Sequence, residues 1–158
     1  MPIEDGSIVS QEIDARLQGY RAQCNHSILV GSRGAEAYRA SMRAAVEVFQ
    51  HLLGWLRPGR TVGQFLAEYE WAATRRRGVA GSVVMHTCGL GSDRPRVGVG
   101  GQANSVDWRI EAGWTFTIKT HFRDIDTRVA TQVGEPVTIT TTGARRLGHR
   151  TLAPIVTP

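Results

Sequence analysis

His86 and Cys88 stand two residues apart, a spacing that puts both side chains on one face of an extended strand. An imidazole near neutrality takes and gives a proton, and a thiol beside it can serve as a nucleophile. The plainer reading of Cys88 is a small buried hydrophobe, the usual fate of a free cysteine. A second pairing comes from comparing two stretches of the chain. Gly6 to Glu12 (GSIVSQE) and Gly113 to Lys119 (GWTFTIK) share phase, each a Gly, an alternating strand and a charged residue six places on. Each is followed by a second strand that reaches a Gln, Gln23 or Gln132. Two quasi-equivalent hairpins would set Glu12 and Lys119 at matching points; against this, any two amphipathic hairpins look alike.

The Gly-rich stretch from Gly89 to Gly101 is not a phosphate loop, because it lacks GxxxxGK[ST] and opens no helix. Asp93-Arg94-Pro95 within it reads as the rim of a substrate pocket, where the Arg94 guanidinium suits a carboxylate.

Four segments position these residues. Residues 1–31 alternate and are punctuated by turns, which predicts a β-hairpin from Gly6 to Gly31. From Ala35 to Leu56 the residues Tyr38, Met42, Val46, Phe49, Leu53 and Leu56 recur every three or four positions, an amphipathic helix stopped by Arg57-Pro58-Gly59. Thr61-Val62-Gly63-Gln64 has the form of a capping box and opens a second helix running to Arg77, with Gly78 as its stop. Residues 81–147 lose helical periodicity and predict short strands at Val83–His86, Trp114–Lys119, Arg128–Gln132 and Val137–Thr142. Residues 148–158 form a tail. Hairpin, two helices, then an antiparallel sheet make a single α+β domain.

Composition narrows the class. The 158 residues are 41% apolar, 7% aromatic and 21% charged, with a net charge of +5, which excludes a disordered chain. No apolar run approaches the length of a membrane helix, and the N-terminal residues carry two acids and no secretory apolar stretch. Two cysteines without CxxC spacing argue against zinc and disulfide scaffolds and for a reducing compartment, the cytoplasm. The Arg runs (Arg75-Arg76-Arg77, Arg94/Arg96, Arg145-Arg146 with Arg150) lack interleaved aromatics, so they read as solvated faces and not as a nucleic-acid site.

Five stretches in order resemble the pita-bread metallopeptidases, the group of methionine aminopeptidases, proline dipeptidases and creatinase. They are Glu12 through Gln23 (EIDARLQGYRAQ), Leu56 through Val62 (LRPGRTV), His86 through Leu90 (HTCGL), Gly113 through Lys119, and Gly134 through Gly143 with Arg146-Leu147. The resemblance implies a partial pita-bread fold, a curved antiparallel sheet backed by two long helices. It places the family's five metal-ligand positions at Glu12, Gln23, His86, Lys119 and Gly134, or Glu135 if the last hairpin slips by one. An amide and an ammonium cannot replace carboxylates around divalent metals, so the expectation is no metal and no cofactor.

Without a metal, the resemblance to creatinase implies proton-transfer chemistry on a C–N or related bond of a small polar substrate. His86 would be the acid/base, Glu12 would orient it or hold a cationic group, and Lys119 would pair with Glu12 or stabilise negative charge. Gln23, His26, Cys88, Arg94 and His121 would bind substrate. The competing reading is a satisfied polar network on a non-catalytic binding or scaffold module. For His26 and His121 an exposed structural role competes with binding, and His51 and His149 read as surface residues. Because the family's domain carries helices and strands ahead of the first hairpin, a second chain, another copy or a separate polypeptide, would complete the site unless this chain is a piece of a longer one.

Overall fold

A computed structural model describes residues 2–90, 95–98 and 106–158. The first hairpin forms as its alternation requires: β1 (Ile8–Leu17) and β2 (Tyr20–Val30) pair in register from Leu17 opposite Tyr20 to Ile8 opposite Leu29. Gln18 and Gly19 both have positive φ, 50° and 87°, as a two-residue turn that matches strand twist demands.

Helix α1 (Ala35–Trp55) buries Tyr38, Met42, Ala45, Val48, Phe49 and Leu52 in the core. Val46 and Leu53 of the expected face are only half-buried. Helix α2 (Val62–Thr74) opens on the expected capping box: Thr61 Oγ1 accepts from Gln64 N at 3.1 Å, and Gln64 Oε1 accepts from Thr61 N at 2.9 Å. It stops three residues short of Arg77, and Gly78 turns the chain with φ 74°.

The remaining strands are β3 (Val79–Thr87), β4 (Arg96–Val97), β5 (Thr115–Asp124), β6 (Ala130–Ile139), β7 (Ala144–Arg146) and β8 (Ile155–Thr157). They join the hairpin in one sheet of order β1-β2-β6-β5-β3-β4, with β7 on β6 and β8 on β2. The two separate strands expected at 128–132 and 137–142 are a single strand, β6. Gly134 and Pro136 suggest a turn, but the ladder tolerates both. The Pro136 carbonyl accepts from Leu147 N at 2.9 Å, so its nitrogen also points away from β5, and its missing N–H costs that ladder nothing. The tail is structured too, since β8 runs parallel to β2 from Ile28 opposite Ile155 to Val30 opposite Thr157.

One sheet face packs on the helices. Phe116, Ile118, Thr120 and Phe122 alternate along β5 on that side, and Thr120 Oγ1 donates to Ala45 O of α1 at 2.7 Å. Val83 and Met85 of β3 and Val133 and Val137 of β6 lie in the same apolar cluster. The alternate residues project to the opposite face. The sheet curls enough for β2 to meet the end of β3: Arg21 N donates to Gly89 O at 3.0 Å.

Candidate functional site

The face away from the helices carries the charged residues. Register fixes its rows: Glu12 is opposite Asn25, Asp14 opposite Gln23, Asn25 opposite Gly134, Gly134 opposite Lys119, and Lys119 opposite Val84. Glu12 and Lys119 meet there, with Lys119 Nζ 2.9 Å from Glu12 Oε1. The lysine side chain is 9% exposed and the glutamate 46%. The Gln23 amide donates to Glu12 Oε1 and, at 3.1 Å, to Asp14 Oδ2, while Asn25 Nδ2 donates to Glu12 Oε2 at 2.9 Å. Arg21 holds Asp14 at 2.6 Å. Burial would raise the Glu12 pKa, but the hydrogen bonds from Lys119 and Asn25 and the lysine charge outweigh it and leave the carboxyl below its usual range. Glu12 is therefore ionised at neutral pH.

His86 joins this network through Gln23. Two carboxylates take the Gln23 amide hydrogens, so its oxygen faces His86 Nε2, 3.1 Å away. His86 Nδ1 lies 2.9 Å from Thr87 O. Both ring nitrogens thus face carbonyl oxygens, an arrangement that suits a ring carrying two protons. Burial opposes this and lowers the His86 pKa, as do the charges of Lys119, Arg21 and Arg96, while the Thr87 contact raises it. The net shift is downward, so the neutral ring, able to accept a proton, is the favoured form.

His121 lies one position along from Lys119 on the same face, across from Gln132 and Ser82. Its Nε2 has no hydrogen-bond partner, and burial first, then Lys119, lower its pKa, with Glu12 acting the other way. Asn25 Oδ1 and Thr117 Oγ1 on this face are likewise buried without partners.

The other candidate residues are placed elsewhere. His26 sits behind the sheet, where its Nδ1 is 2.7 Å from Arg150 Nη1 and must accept that hydrogen. Burial and the Arg150 charge lower its pKa, so it is a neutral member of a structural cluster and not part of the concave face. Cys88 donates to Arg21 O at 2.8 Å. Since the two ring nitrogens of His86 are turned to Thr87 O and Gln23, no Cys–His hydrogen bond forms. Arg94 lies outside the described residues.

The register also settles which of Gly134 and Glu135 faces the site. Gly134 lies between Asn25 and Lys119, whereas Glu135 points behind, 1% exposed, held by Arg150 Nε and, at 3.3 Å, by Arg146. Arg150 also donates to Asn25 O at 2.6 Å and Gly134 O at 3.1 Å, clamping β2 to β6. Sequence reasoning missed Asn25 and Arg150. Asn25 was legible as the strand neighbour of Gln23 on the same face, two residues on; nothing local marks Arg150.

A dinuclear metal does not fit these side chains. One of the five ligand positions is an ammonium already bonded to Glu12, one an amide turned to two carboxylates, and one a glycine. Among the described residues no three His, Cys, Asp or Glu side chains group to hold a metal ion.

Comparisons with known proteins place this geometry. The chain is similar in structure to methionine aminopeptidase from Rickettsia prowazekii, with a TM-score of 0.76 and 16% identity over 92% of this chain and 66% of that one. X-Pro aminopeptidase from Thermotoga maritima gives a TM-score of 0.78 and 17% identity over 98% of this chain and 42% of that one. The N-terminal domain of the FACT complex subunit SPT16 from chickpea, Cicer arietinum, gives 0.72 and 10% identity over 97% and 38%. The chain thus spans between about two fifths and two thirds of the length of these structures. No curated protein matches the sequence. The likenesses show the pita-bread fold, an open antiparallel sheet backed by two helices. The sequence pattern of metallopeptidase family M24 runs through residues 1–142, most of the chain, and the chain belongs to that family.

Proposed function

We propose that the chain is a metal-independent member of its family, acting on a C–N or related bond of a small polar molecule held on the concave face. The observation that carries this reading is the Glu12–Lys119 ion pair, which supplies at the family's ligand positions the charge balance a metal would supply. His86 is the proton-transfer group: its Nε2 faces the Gln23 oxygen, and burial favours the neutral ring, so it serves first as the proton acceptor. Lys119 has donors to spare beyond its bond to Glu12 and is placed to stabilise negative charge developing on the substrate.

A second reading is a binding module without turnover. Its support is that both ring nitrogens of His86 are engaged, so a substrate must displace Gln23 or Thr87 to reach them. One experiment separates the two. Small amides, ureas and guanidino compounds are offered to the protein while ring signals of His86 and product formation are followed. Turnover abolished by His86→Gln supports the enzyme; binding shifts without product in either form support the module; neither shifts nor product overturn both.

Completion of the site by a second chain belongs to the same proposal. Ile13, Leu17 and Tyr20 of the edge hairpin are 51%, 77% and 61% exposed, an apolar surface that association would cover. Light scattering at micromolar concentration tests it, and a monomer that turns over substrate unaided overturns it. Both cysteines are free, which suits a reducing compartment such as the cytoplasm. Among the described residues no helix is long and apolar enough to cross a membrane.

A further inference from the structure

The two hairpins of the curved face are related by an approximate two-fold axis between Asn25 and Gly134, which stand opposite each other. Glu12 opposite Asn25 corresponds to Lys119 opposite Gly134, and Asp14 opposite Gln23 corresponds to His121 opposite Gln132. The correspondence changes the charge: the acidic pair on β1 is matched on β5 by a lysine and a histidine, so charge reverses at Lys119 and is lost at His121. It also differs in completeness. In the first hairpin the Asp14 carboxylate receives Arg21 Nε at 2.6 Å and the Gln23 amide at 3.1 Å. In the second hairpin His121 takes the place of that carboxylate, so Gln132 finds no equivalent and its amide reaches only Gln11 O at 3.5 Å. His121 Nε2 has no partner at all. Beside these two residues is a cleft of about 500 Å³, lined also by Ser10, Ser82 and Arg123.

We propose that this cleft binds the carboxylate of the small molecule held on the concave face, the ligand's own carboxylate standing in for the one that the second hairpin lacks. The chemistry favours an anion over a cation. His121, the Gln132 amide, the Ser82 hydroxyl and the exposed Arg123 all offer hydrogens, and Lys119 adds a positive charge next to His121. Among the described residues lining the cleft none is acidic, and Glu12, which acts on His121 from beside it, is paired with Lys119 and bonded to Gln23 and Asn25. The inference rests on the reading of this face as a ligand site and narrows its substrate to molecules carrying a carboxylate.

The test titrates the whole chain with acetate, with chloride at matched ionic strength as the reference, and follows the ring signals of all five histidines. Saturable acetate shifts centred on His121 are expected, with affinity lowered about threefold or more in Arg123→Ala and in Gln132→Ala, as for loss of a charged or amide hydrogen bond. Arg123 is exposed, so its removal tests the cleft without threatening the fold. Saturable shifts from guanidinium but not acetate overturn the proposal, as do acetate shifts centred on other histidines or unaffected by either variant. Inorganic phosphate in place of acetate separates carboxylate from general anion binding: shifts by phosphate alone also overturn it. Acetate binding is read without turnover, so it stands or falls independently of whether His86→Gln abolishes activity.

Discussion

Gly134 stands directly across from Lys119 in the β5–β6 ladder, and the lysine stem fills the room a side chain at 134 would need. A Cβ there would lie 2.7 Å from Asn25 Oδ1 and 2.9 Å from Lys119 Cγ. The glycine is thus what lets an ammonium reach Glu12 through the middle of the site. Gly134→Ala should displace both neighbours and cost about 1–3 kcal/mol, with loss of the Glu12–Lys119 contact. Thermal unfolding and a crystal structure of the variant check this; an unchanged melting temperature would show that the strands separate freely.

Lys119→Met removes the cation and leaves Glu12 with its two amide donors. Because Glu12 is nearly half exposed, the cost falls below that of a fully buried pair, at about 1–2 kcal/mol. The Glu12 pKa should rise, since its lysine partner no longer favours the charged form. A carboxylate titration by NMR reads that rise directly, and no change in it would mean that the amides alone set the carboxyl.

Arg150→Ala should be more damaging than its distance in sequence from the site suggests. Glu135 is 1% exposed and would keep only Arg146, and the carbonyls of Asn25 and Gly134 would each lose a donor. A loss of about 2–4 kcal/mol is expected, with the Asn25 and Gly134 amide signals moving. Denaturant unfolding measures the first and NMR the second.

Stability should fall in acid in two stages. His26, His86 and His121 have pKa values in the folded state below the unfolded value of about 6.5. Between those values the unfolded chain binds more protons than the folded one, so stability drops as pH falls through that window and is untouched above it. Glu12, Asp14, Asp5 and Asp124 have lowered carboxyl pKa values, so their contribution is present above about pH 4.5 and disappears below it. Melting temperatures across this range test both stages, and His121→Gln should flatten the first. A constant melting temperature from pH 7.5 to about 5.5 would contradict the histidine stage.

Elemental analysis of protein purified without chelator should find no stoichiometric manganese, cobalt, zinc or iron. Lys119, Gln23 and Gly134 leave too few anionic donors on the concave face. One equivalent of metal near His86 would overturn the proposed chemistry.

Local signals carried far in this chain. The Thr61–Gln64 capping box and the strand alternation within residues 6–12 and within 113–119 are each written in neighbouring residues. The shared phase, together with the resemblance of both positions to the family's ligand positions, pointed to Glu12 and Lys119 as partners, and Lys119 Nζ lies 2.9 Å from Glu12 Oε1. His26, three residues from Gln23 on β2, falls on the opposite face by the same alternation and meets Val133 on the helix side. Pro136 and Gly134 read as a turn because their cost depends on which neighbour the nitrogen faces and on the lysine across the ladder. Arg150 stayed hidden because its partners Glu135, His26, Asn25 and Gly134 are gathered only by the finished sheet.

The parallel pairing of β8 with β2 has a consequence for synthesis. The first hairpin emerges from the ribosome early, yet Ile28 to Val30 await partners at 155–157, and Asn25 awaits the guanidinium of residue 150. The centre of the sheet therefore stays unfinished until more than a hundred further residues have been made. Helix α1, whose Tyr38 hydroxyl donates to Ser27 O, is the early partner able to shield β2 during that wait, and the same hydroxyl later accepts from Ile155 N as the last strand arrives. A nascent chain halted before residue 150 should hold a protected α1–β2 unit and an open β2–β6 seam, so that elongation rate, as well as sequence, governs how much of the newly made protein reaches its native form.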